Sequence, residues 1–131
     1  MASCGVWMSR RRLVTAVVDG DGAVVLVGAA HRDDDSRRDM LFTLEGGTGL
    51  DGPLVVTESM LAADALPRLA AGRGVRVLVA PDALVQAALH LTGRAHAAPR
   101  ALALLLARMP ASSPFAERLR PLKLQLSLPL G

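Results

Sequence analysis

The sequence predicts an α/β fold in which helices pack on a mixed β-sheet. Two observations carry this prediction: hairpin signals come first in the chain, and short buried apolar runs then alternate with helical patterns. Composition limits how the core can be built, since 51% of the 131 residues are hydrophobic but only two Phe, one Trp and no Tyr are present. A chain of this length buries roughly two-thirds of its unfolded surface. Ala, Val and Leu must therefore build the core.

The first strands are apolar runs that polar turns separate. Val6–Met8 is a short apolar start, and Leu13–Val18 and Ala23–Val27 are Val-rich runs. They flank Asp19–Gly22, whose two Asp-Gly pairs favour a hairpin with a type I′ turn. Three Asp and one Ser then supply candidate N-caps for a helix over Arg37–Glu45.

The remaining elements alternate between strand and helix. Leu54–Thr57 and Val75–Val79 have the uninterrupted apolar composition of buried strands. The helices predicted in this part of the chain are Asp64–Ala71, Asp82–Leu91 and Pro99–Met109. The order is therefore β-β-β-α-β-α-β-α-α, and antiparallel strands followed by this alternation imply a mixed sheet with helices packed on it.

The net positive charge of the chain comes from its two ends. Residues 1–12 carry three Arg and no acid, whereas residues 13–110 hold nine Arg against eleven acids. Clusters of exposed cations bind nucleic-acid phosphates. The candidate phosphate-binding residues are the basic side chains of the two ends: Arg10, Arg11, Arg12, Arg118, Arg120 and Lys123. The alternative is an ordinary hairpin turn and a loose tail that happen to be basic.

The last residues form a separate segment in this interpretation, with a domain at 1–110 and a basic, Leu-rich tail at 111–131. Within the tail, Leu122–Leu130 alternates Leu with other residues, which is the period of a strand. Pro129 would confine that strand to a sheet edge. Three placements stay open: pairing with the sheet edge of its own domain, staying loose, or pairing with another chain, which would make the protein a homo-oligomer.

Composition also excludes several classes of protein. The single Cys, Cys4, rules out an intramolecular disulfide and a cysteine-based zinc site. The longest apolar runs, Ala23–Ala30 and Ala101–Ala107, are too short to span a membrane. No secretory signal is visible, because the Arg run follows the apolar start instead of preceding it, and the expected location is cytoplasmic. The few aromatic residues argue against recognition of nucleic acid by base stacking.

Two short motifs match known loops only in part. Gly47–Gly52 reads G-x-G-x-x-G, but a helix precedes it and a strand follows, which reverses the order of a phosphate-binding loop. Asp19–Gly22 begins like a calcium loop, yet apolar residues stand at the later ligand positions. His31 and Asp33–Asp35 could form a metal patch, but a solvated loop that caps the next helix is the favoured interpretation.

One carboxylate has a position that is typical of a site. Glu58 follows directly after the buried run Leu54–Thr57, and ligands of open α/β sheets bind at the carboxyl ends of strands. Glu58 is therefore the candidate catalytic residue. The alternative is a surface Glu at the point where the strand leaves the sheet.

Several stretches resemble a known family in order and spacing. Gly5–Arg10 reads Gly-Val-Trp-Met-Ser-Arg, Val55–Glu58 reads Val-Val-Thr-Glu, and Gly72–Pro81 reads Gly-Arg-Gly-Val-Arg-Val-Leu-Val-Ala-Pro. Together with Gly93–Arg108, they resemble the amino-terminal domain of the DEDD-type insertion-sequence transposases, which is RuvC-like. The resemblance covers residues 4–110 and implies a ribonuclease-H-like mixed sheet.

The departures from this family fall on its metal site. The family has four carboxylates that hold Mg²⁺ for phosphodiester chemistry. The alignment places Trp7 at the first position and keeps Glu58 at the second, and it places Pro99 and Leu102 at the last two. We therefore expect a degenerate, truncated relative without a cofactor, in which Mg²⁺ enters only if Glu58 belongs to a residual site. A Trp7 packed beside Glu58 would support this alignment, and a distant Trp7 would contradict it.

Three functions are consistent with these features. The first, which we favour, is a catalytically inactive transposase-like domain that binds DNA through its basic ends. The second is a protein-interaction or self-association module on the same fold, which uses the acidic body or Leu122–Leu130. The third is an enzyme that recruits Asp19, Asp21 or His31 around Glu58.

Overall fold

The computed structural model describes residues 1–93 and 97–122, which form a six-stranded sheet with α-helices and two short 3₁₀ helices. The strands are β1 (Ser3–Met8), β2 (Arg12–Val18), β3 (Val24–His31), β4 (Leu54–Thr57), β5 (Val77–Ala80) and β6 (Arg120–Pro121). The α-helices are α1 (Asp34–Gly47), α2 (Glu58–Ala63), α3 (Leu66–Gly72), α4 (Asp82–Leu91) and α5 (Pro99–Arg108). The 3₁₀ helices are Met109–Ala111 and Phe115–Arg118.

The sheet is mixed, as the sequence predicts, and its strand order is β3-β2-β1-β4-β5-β6. β2 is antiparallel to β1 and β3, β4 is parallel to β1 and β5, and β6 is antiparallel to β5. β1, β3, β4 and β5 therefore run in one direction. We call the edge at which these four strands end, at Met8, His31, Thr57 and Ala80, the carboxyl edge, and the opposite one the amino edge.

Each face of the sheet carries its own apolar core, because side chains alternate between the two faces of a strand. The first core lies under α1, α2 and α3 and includes Leu41, Leu44, Met60 and Leu66. The second core lies under α4 and α5 and is built from the following residues: Val55, Leu78, Ala80, Leu84, Val85, Ala88, Leu89, Leu102, Leu106 and Met109. The predicted fold class is confirmed in its layers as well as in its sheet.

Helix α5 crosses β1 at very short range. A Cβ at Gly5 would collide with the carbonyl oxygen of Ala103 and the amide of Ala107, so that only glycine allows this approach. At the end of α5, Arg108 donates a hydrogen bond at 3.2 Å to the Gly22 carbonyl, in the turn after β2. That turn lies at the amino edge, and α5 therefore starts near the carboxyl edge.

The turn between β2 and β3 is not of type I′, which would need positive φ at both central residues. Within the turn only Gly22 has a positive φ, of 83°. The Asp19 amide donates to the Ala23 carbonyl at 2.9 Å and the Gly22 amide donates to the Asp19 carbonyl at 3.0 Å. The Asp19 carboxylate also accepts the amides of Asp21 and Ala23, both at 2.9 Å. These bonds favour a three-residue loop that ends on a left-handed glycine.

The region around Glu58 contains a helix that the sequence pattern did not predict. Glu58–Ala63 is a helix of its own, α2, and the helix predicted to begin at Asp64 begins at Leu66. Six residues are too few to show a helical period in the sequence. The break has a visible cause, because the buried Asp64 carboxylate accepts the Leu66 amide at 2.9 Å.

The chain after α5 returns to the sheet. Phe115 and Leu119 pack against the second core, and β6 pairs with β5. The Leu122 amide then donates to the Val77 carbonyl at 2.9 Å, and its side chain packs against the first core. The remainder of the alternating segment, residues 123–130, lies outside the described residues, and the boundary at residue 110 stays a prediction.

No helix in the described ranges is long and apolar enough to cross a membrane.

Candidate functional site

Glu58 lies at the carboxyl edge together with Asp82, a second carboxylate that the sequence did not single out. Each is the first residue of a helix, α2 and α4, after two neighbouring parallel strands. The Asp82 amide donates to Glu58 Oε1 at 3.3 Å, and the Ser59 hydroxyl donates to Asp82 Oδ2 at 2.7 Å. Hydrogen bonds thus link the first turn of α2 to the first residue of α4 across the ends of β4 and β5.

Trp7 lies on β1 beside this pair. β1 pairs with β4 at Cys4↔Leu54 and Gly5↔Val55, and the same register two residues further places Trp7 level with Thr57, the residue before Glu58. The Trp7 side chain is partly buried against the second core. The alignment with the transposase family stays a prediction.

Leu102 belongs to the same apolar cluster as Trp7. Leu102 is 7% exposed on α5, and Trp7 packs against the cluster that contains it. Pro99, at the third replaced position, is the exposed first residue of α5. Two of the three replaced positions therefore contribute to the second core.

The residues at this edge do not fit the two-Mg²⁺ site that the resemblance implies. Mg²⁺ requires oxygen ligands in nearly octahedral geometry, and Trp7 and Leu102 offer none. The carboxylates of Glu58 and Asp82 already accept hydrogen bonds from protein groups. Within residues 1–93 and 97–122, no group of three or more His, Cys, Asp and Glu side chains is placed to hold a metal ion.

The other residues considered for an enzyme do not converge on Glu58. Asp19 and Asp21 lie in the turn after β2, at the amino edge, because Val18 pairs with Ser3 at the start of β1. His31 ends β3, which β2 and β1 separate from β4.

The acidic run after β3 caps a helix, as the sequence predicts. Asp33 is the N-cap of α1, and its carboxylate accepts the Ser36 amide at 2.8 Å. This bond and the bond from the Ser36 hydroxyl lower the pKa of Asp33. Asp34 forms an ion pair with Arg37 at 3.1 Å. Asp33 and Asp34 are therefore engaged in capping and pairing.

Arg10 and Arg11 lie in the exposed turn between β1 and β2, and the exposed Arg12 is the first residue of β2; we call these three residues the arginine turn. The Ser9 amide closes it by donating to the Arg12 carbonyl at 2.9 Å, and the Ser9 hydroxyl donates to the same oxygen at 3.0 Å. β1 ends here, so that the turn projects from the carboxyl edge. In the part of the chain that the structure describes, none of the three side chains is in an ion pair.

A buried cluster of Arg32, Arg37 and Asp64 holds the arginine turn in place. The Asp64 side chain is fully buried, and its oxygens accept Arg32 Nε at 2.9 Å and Arg37 Nε at 3.0 Å. The Arg32 guanidinium also donates to backbone carbonyls of Ala63 at 2.7 Å, of Arg10 at 3.3 Å and of Ser9 at 3.5 Å. The cluster therefore ties the turn to the junction of α2 and α3.

The charges of this cluster stabilise one another. Burial raises the pKa of Asp64, but hydrogen bonds from Arg37, the Leu66 amide and Arg32 outweigh it and leave that pKa below its ordinary value. Hydrogen bonding to Asp64 in turn raises the pKa of Arg37. The cluster is thus an ionised, buried unit at neutral pH.

The basic residues after α5 lie on the side of β5 that faces away from β4 and Glu58. Arg118 and Arg120 are exposed and line a cleft of about 400 Å³ with Glu117, Pro81 and Leu84. Lys123 lies outside the described residues. The structure adds Arg100, an exposed residue in the first turn of α5, near the carboxyl edge.

Cys4 has no place in this site. It is fully buried in the first core, and burial raises the pKa of its thiol to about 12. A thiol in this environment stays protonated and inert.

The strand order, the antiparallel β2 and the helices on both faces define a ribonuclease-H-like fold. The solved structures that resemble it include RuvC from Thermus thermophilus in complex with a Holliday junction substrate. That structure has a TM-score of 0.64 and 18% identity, over 93% of this chain and 99% of the RuvC chain. A second Thermus thermophilus RuvC structure gives a TM-score of 0.63 and 21% identity, over 93% of this chain and all of the other.

Likeness at this level of identity establishes the fold alone. No protein-family model matches the chain, and no curated protein matches it in sequence. The RuvC-like part of the resemblance is therefore confirmed as a fold, and the relation to transposases in particular stays a prediction.

Proposed function

We propose that this chain is a catalytically inactive, transposase-like domain that binds DNA at the carboxyl edge of its sheet. The observation that carries the proposal is the arginine turn, three exposed guanidinium groups on a turn that Arg32 anchors. The fold supports it, since a RuvC chain of the same fold has been solved with a Holliday junction substrate. Fold likeness is an analogy, so the chemistry of the edge carries the argument.

The arginine turn matches the DNA backbone in charge and geometry. A guanidinium is always charged and presents a planar fork of N–H donors that suits phosphate oxygens. Three such groups on consecutive residues can follow successive phosphates. The anchored backbone lowers the entropy that would be lost when the turn is fixed on DNA.

The carboxylates of the edge set limits on where DNA can lie. Glu58 and Asp82 repel phosphates, so that the backbone should pass over the arginine turn and over Arg100 and Arg118 instead of between the two acids. Contacts to phosphate and sugar carry no base sequence information. We therefore expect binding to DNA shape or charge with little sequence preference.

Inactivity follows from the packing of Trp7 and Leu102. In metal-dependent strand cleavage, metal ions stabilise the attacking and leaving oxygens of phosphodiesters. Here two of the positions that would supply metal ligands fill an apolar cluster, so that the edge retains a phosphate-binding surface without the ligands for this chemistry.

Binding is tested with a labelled four-way junction and a matched duplex, by fluorescence anisotropy at increasing salt. Each lost phosphate contact lowers the slope of log affinity against log salt by about 0.9. The variant Arg10→Ala/Arg11→Ala/Arg12→Ala should therefore lose about 2 to 3 units of slope and at least tenfold in affinity.

The matched control removes three exposed arginines elsewhere, on α1, on α3 and before β5, as Arg38→Ala/Arg68→Ala/Arg76→Ala. It makes the same change in net charge and should keep most of the affinity and slope. If the two triple variants bind equally well, the arginine turn is not the interface.

Inactivity is tested by incubating both DNA forms with Mg²⁺ or Mn²⁺ and the wild-type chain. We expect no cleavage. Metal-dependent cleavage that is lost in Glu58→Gln/Asp82→Asn would contradict the proposal that the chain is inactive. The proposal of DNA binding is tested separately by the anisotropy measurements.

A further inference from the structure

The outer side of β3 offers an unpaired strand edge. Across the described ranges, β3 pairs with β2 alone and ends the sheet. It is eight residues long, and Val24 and Val25 at its start are each 49% exposed. A long, exposed edge strand with apolar side chains is a template for pairing with another chain.

An apolar groove accompanies this edge. It has a volume of about 400 Å³ and lies between β3 and α1, on the face of the first core. Leu26, Ala30, Met40 and Leu44 line it, and Gly28 leaves its middle open. A strand added to β3 would direct every second side chain into this groove.

The chain has a segment with the matching pattern, and it begins at the opposite edge of the sheet. Residues 122–130 alternate Leu with other residues, and Leu122 points its side chain to the first core. β5 begins at Val77, and the chain before it turns at Gly74, with a φ of 85°. On the outer side of β5, the chain between this turn and Val77 can therefore pair with only about two residues of an antiparallel strand beyond Leu122.

The segment after Leu122 is too short to fill the groove of its own molecule. β3 and β6 are separated by five strand spacings, or about 24 Å at ~4.8 Å each. The nine residues after Leu122 span about 30 Å when fully extended at ~3.3 Å per residue. After crossing the sheet, about two residues would remain to pair with β3. An occupant that fills the groove must come from another molecule.

We propose that residues 123–130 of one copy add as a strand to β3 of a second copy and place Leu124, Leu126 and Leu128 in its groove. Asp39 lines the groove and offers a carboxylate to Lys123. The segment that binds follows β6 and the groove that receives it lies beside β3, and these are the two outermost strands of the sheet. The contact between copies is therefore head-to-tail. Such contacts extend beyond a dimer unless the rotation closes a ring. The proposal does not depend on DNA binding.

The test uses two variants, each of which lacks one half of the contact. One ends at Leu122 and keeps β3 intact. The other carries Ala30→Lys, which places a charge in the groove and keeps the tail. In sedimentation velocity, the wild-type chain should form species that grow with concentration, and each variant alone should be monomeric. An equimolar mixture of the two should form a 1:1 dimer and stop there.

Controls separate loss of contact from loss of folding. Fluorescence of the single Trp should report native packing in both variants, and Ala62→Lys, an exposed change on α2, should associate like the wild-type chain. As a second measurement, a labelled peptide of residues 121–131 should bind the truncated chain. Its binding should weaken at least tenfold when Leu124, Leu126 and Leu128 are replaced by Ser.

The proposal is overturned if the mixture stays monomeric, if the truncated chain still self-associates, or if the peptide and its Ser variant bind equally. Association that Ala30→Lys leaves intact and truncation abolishes would assign the tail to a different surface.

Discussion

Asp64 links most of the segments that shape the carboxyl edge. Its carboxylate holds one arginine that follows β3 and another from α1, and one of these, Arg32, reaches the backbone of the arginine turn. Removal of one partner from a buried ionic cluster leaves charges without compensation. Asp64→Asn should therefore lower the free energy of unfolding by about 3 kcal/mol. Urea denaturation, followed through Trp7 fluorescence, measures this loss.

The control for this change is Asp21→Asn, on an exposed position in the turn after β2 whose side chain forms no ion pair within the described residues. It should leave the urea midpoint nearly unchanged. Equal midpoints for the two variants would show that the cluster does not stabilise the fold.

The same carboxylate makes stability depend on pH in a defined direction. The pKa of Asp64 is lowered in the folded protein, so its contribution is present above the unfolded value of about 3.9 and is lost as pH falls through the folded value. The free energy of unfolding of the wild-type chain should decrease as pH falls below ~4. Urea titrations at several pH values should show a smaller decrease in Asp64→Asn, and parallel curves would contradict this assignment.

At the residue scale, the sequence predicts what depends on neighbours in the chain. Glu58 follows a buried strand, and its place at the carboxyl edge could be inferred from that fact. Asp82 follows the next strand in the same way, after Pro81, and the same rule could have found it. Asp64 could not be found, because its partners Arg32 and Arg37 are 32 and 27 residues away along the chain.

At the scale of elements, α5 packs closely against β1 at Gly5, two residues before Trp7. Gly5→Ala would drive a methyl group into the backbone of α5, and overpacking of this kind costs about 1–3 kcal/mol. Thermal unfolding should show a lower Tm and reduced Trp7 packing.

Gly46 provides the matched comparison. It lies in α1 with open space around its Cα, and Gly→Ala at an exposed helical position stabilises by about 0.5–1 kcal/mol. Gly46→Ala should therefore raise the Tm slightly. A Gly5→Ala variant as stable as Gly46→Ala would contradict the close approach of α5 to β1.

The predicted bounds are correct for elements that have strong local sequence signals. Elements that depend on contacts between distant residues were not predicted correctly. β4 and α4 have the predicted bounds, because an apolar run between turn residues and a capped helical pattern define them. α2 is only six residues long and shows no period. The form of the turn at Asp19 depends on side-chain hydrogen bonds, which the Asp-Gly pattern does not specify.

At the scale of the whole molecule, the topology places residues from distant parts of the chain on one surface. The arginine turn, Glu58, Asp82 and Arg100 come from distant parts of the chain, and the parallel direction of β1, β4 and β5 brings them to one edge. The fold class and the basic ends could be predicted from pattern and composition. The arrangement of these side chains required the strand order and register.

The most direct test of this account is a map of backbone amide shifts by NMR while a four-way junction is added to the ¹⁵N-labelled chain. We predict that the largest shifts fall on residues 9–12, with smaller ones at Glu58, Asp82 and Arg100. The turn at 19–22, on the amino edge, should stay unchanged. Shifts that centre on the amino edge, or no shifts at DNA concentrations that saturate binding, would contradict the assignment of the carboxyl edge as the DNA interface.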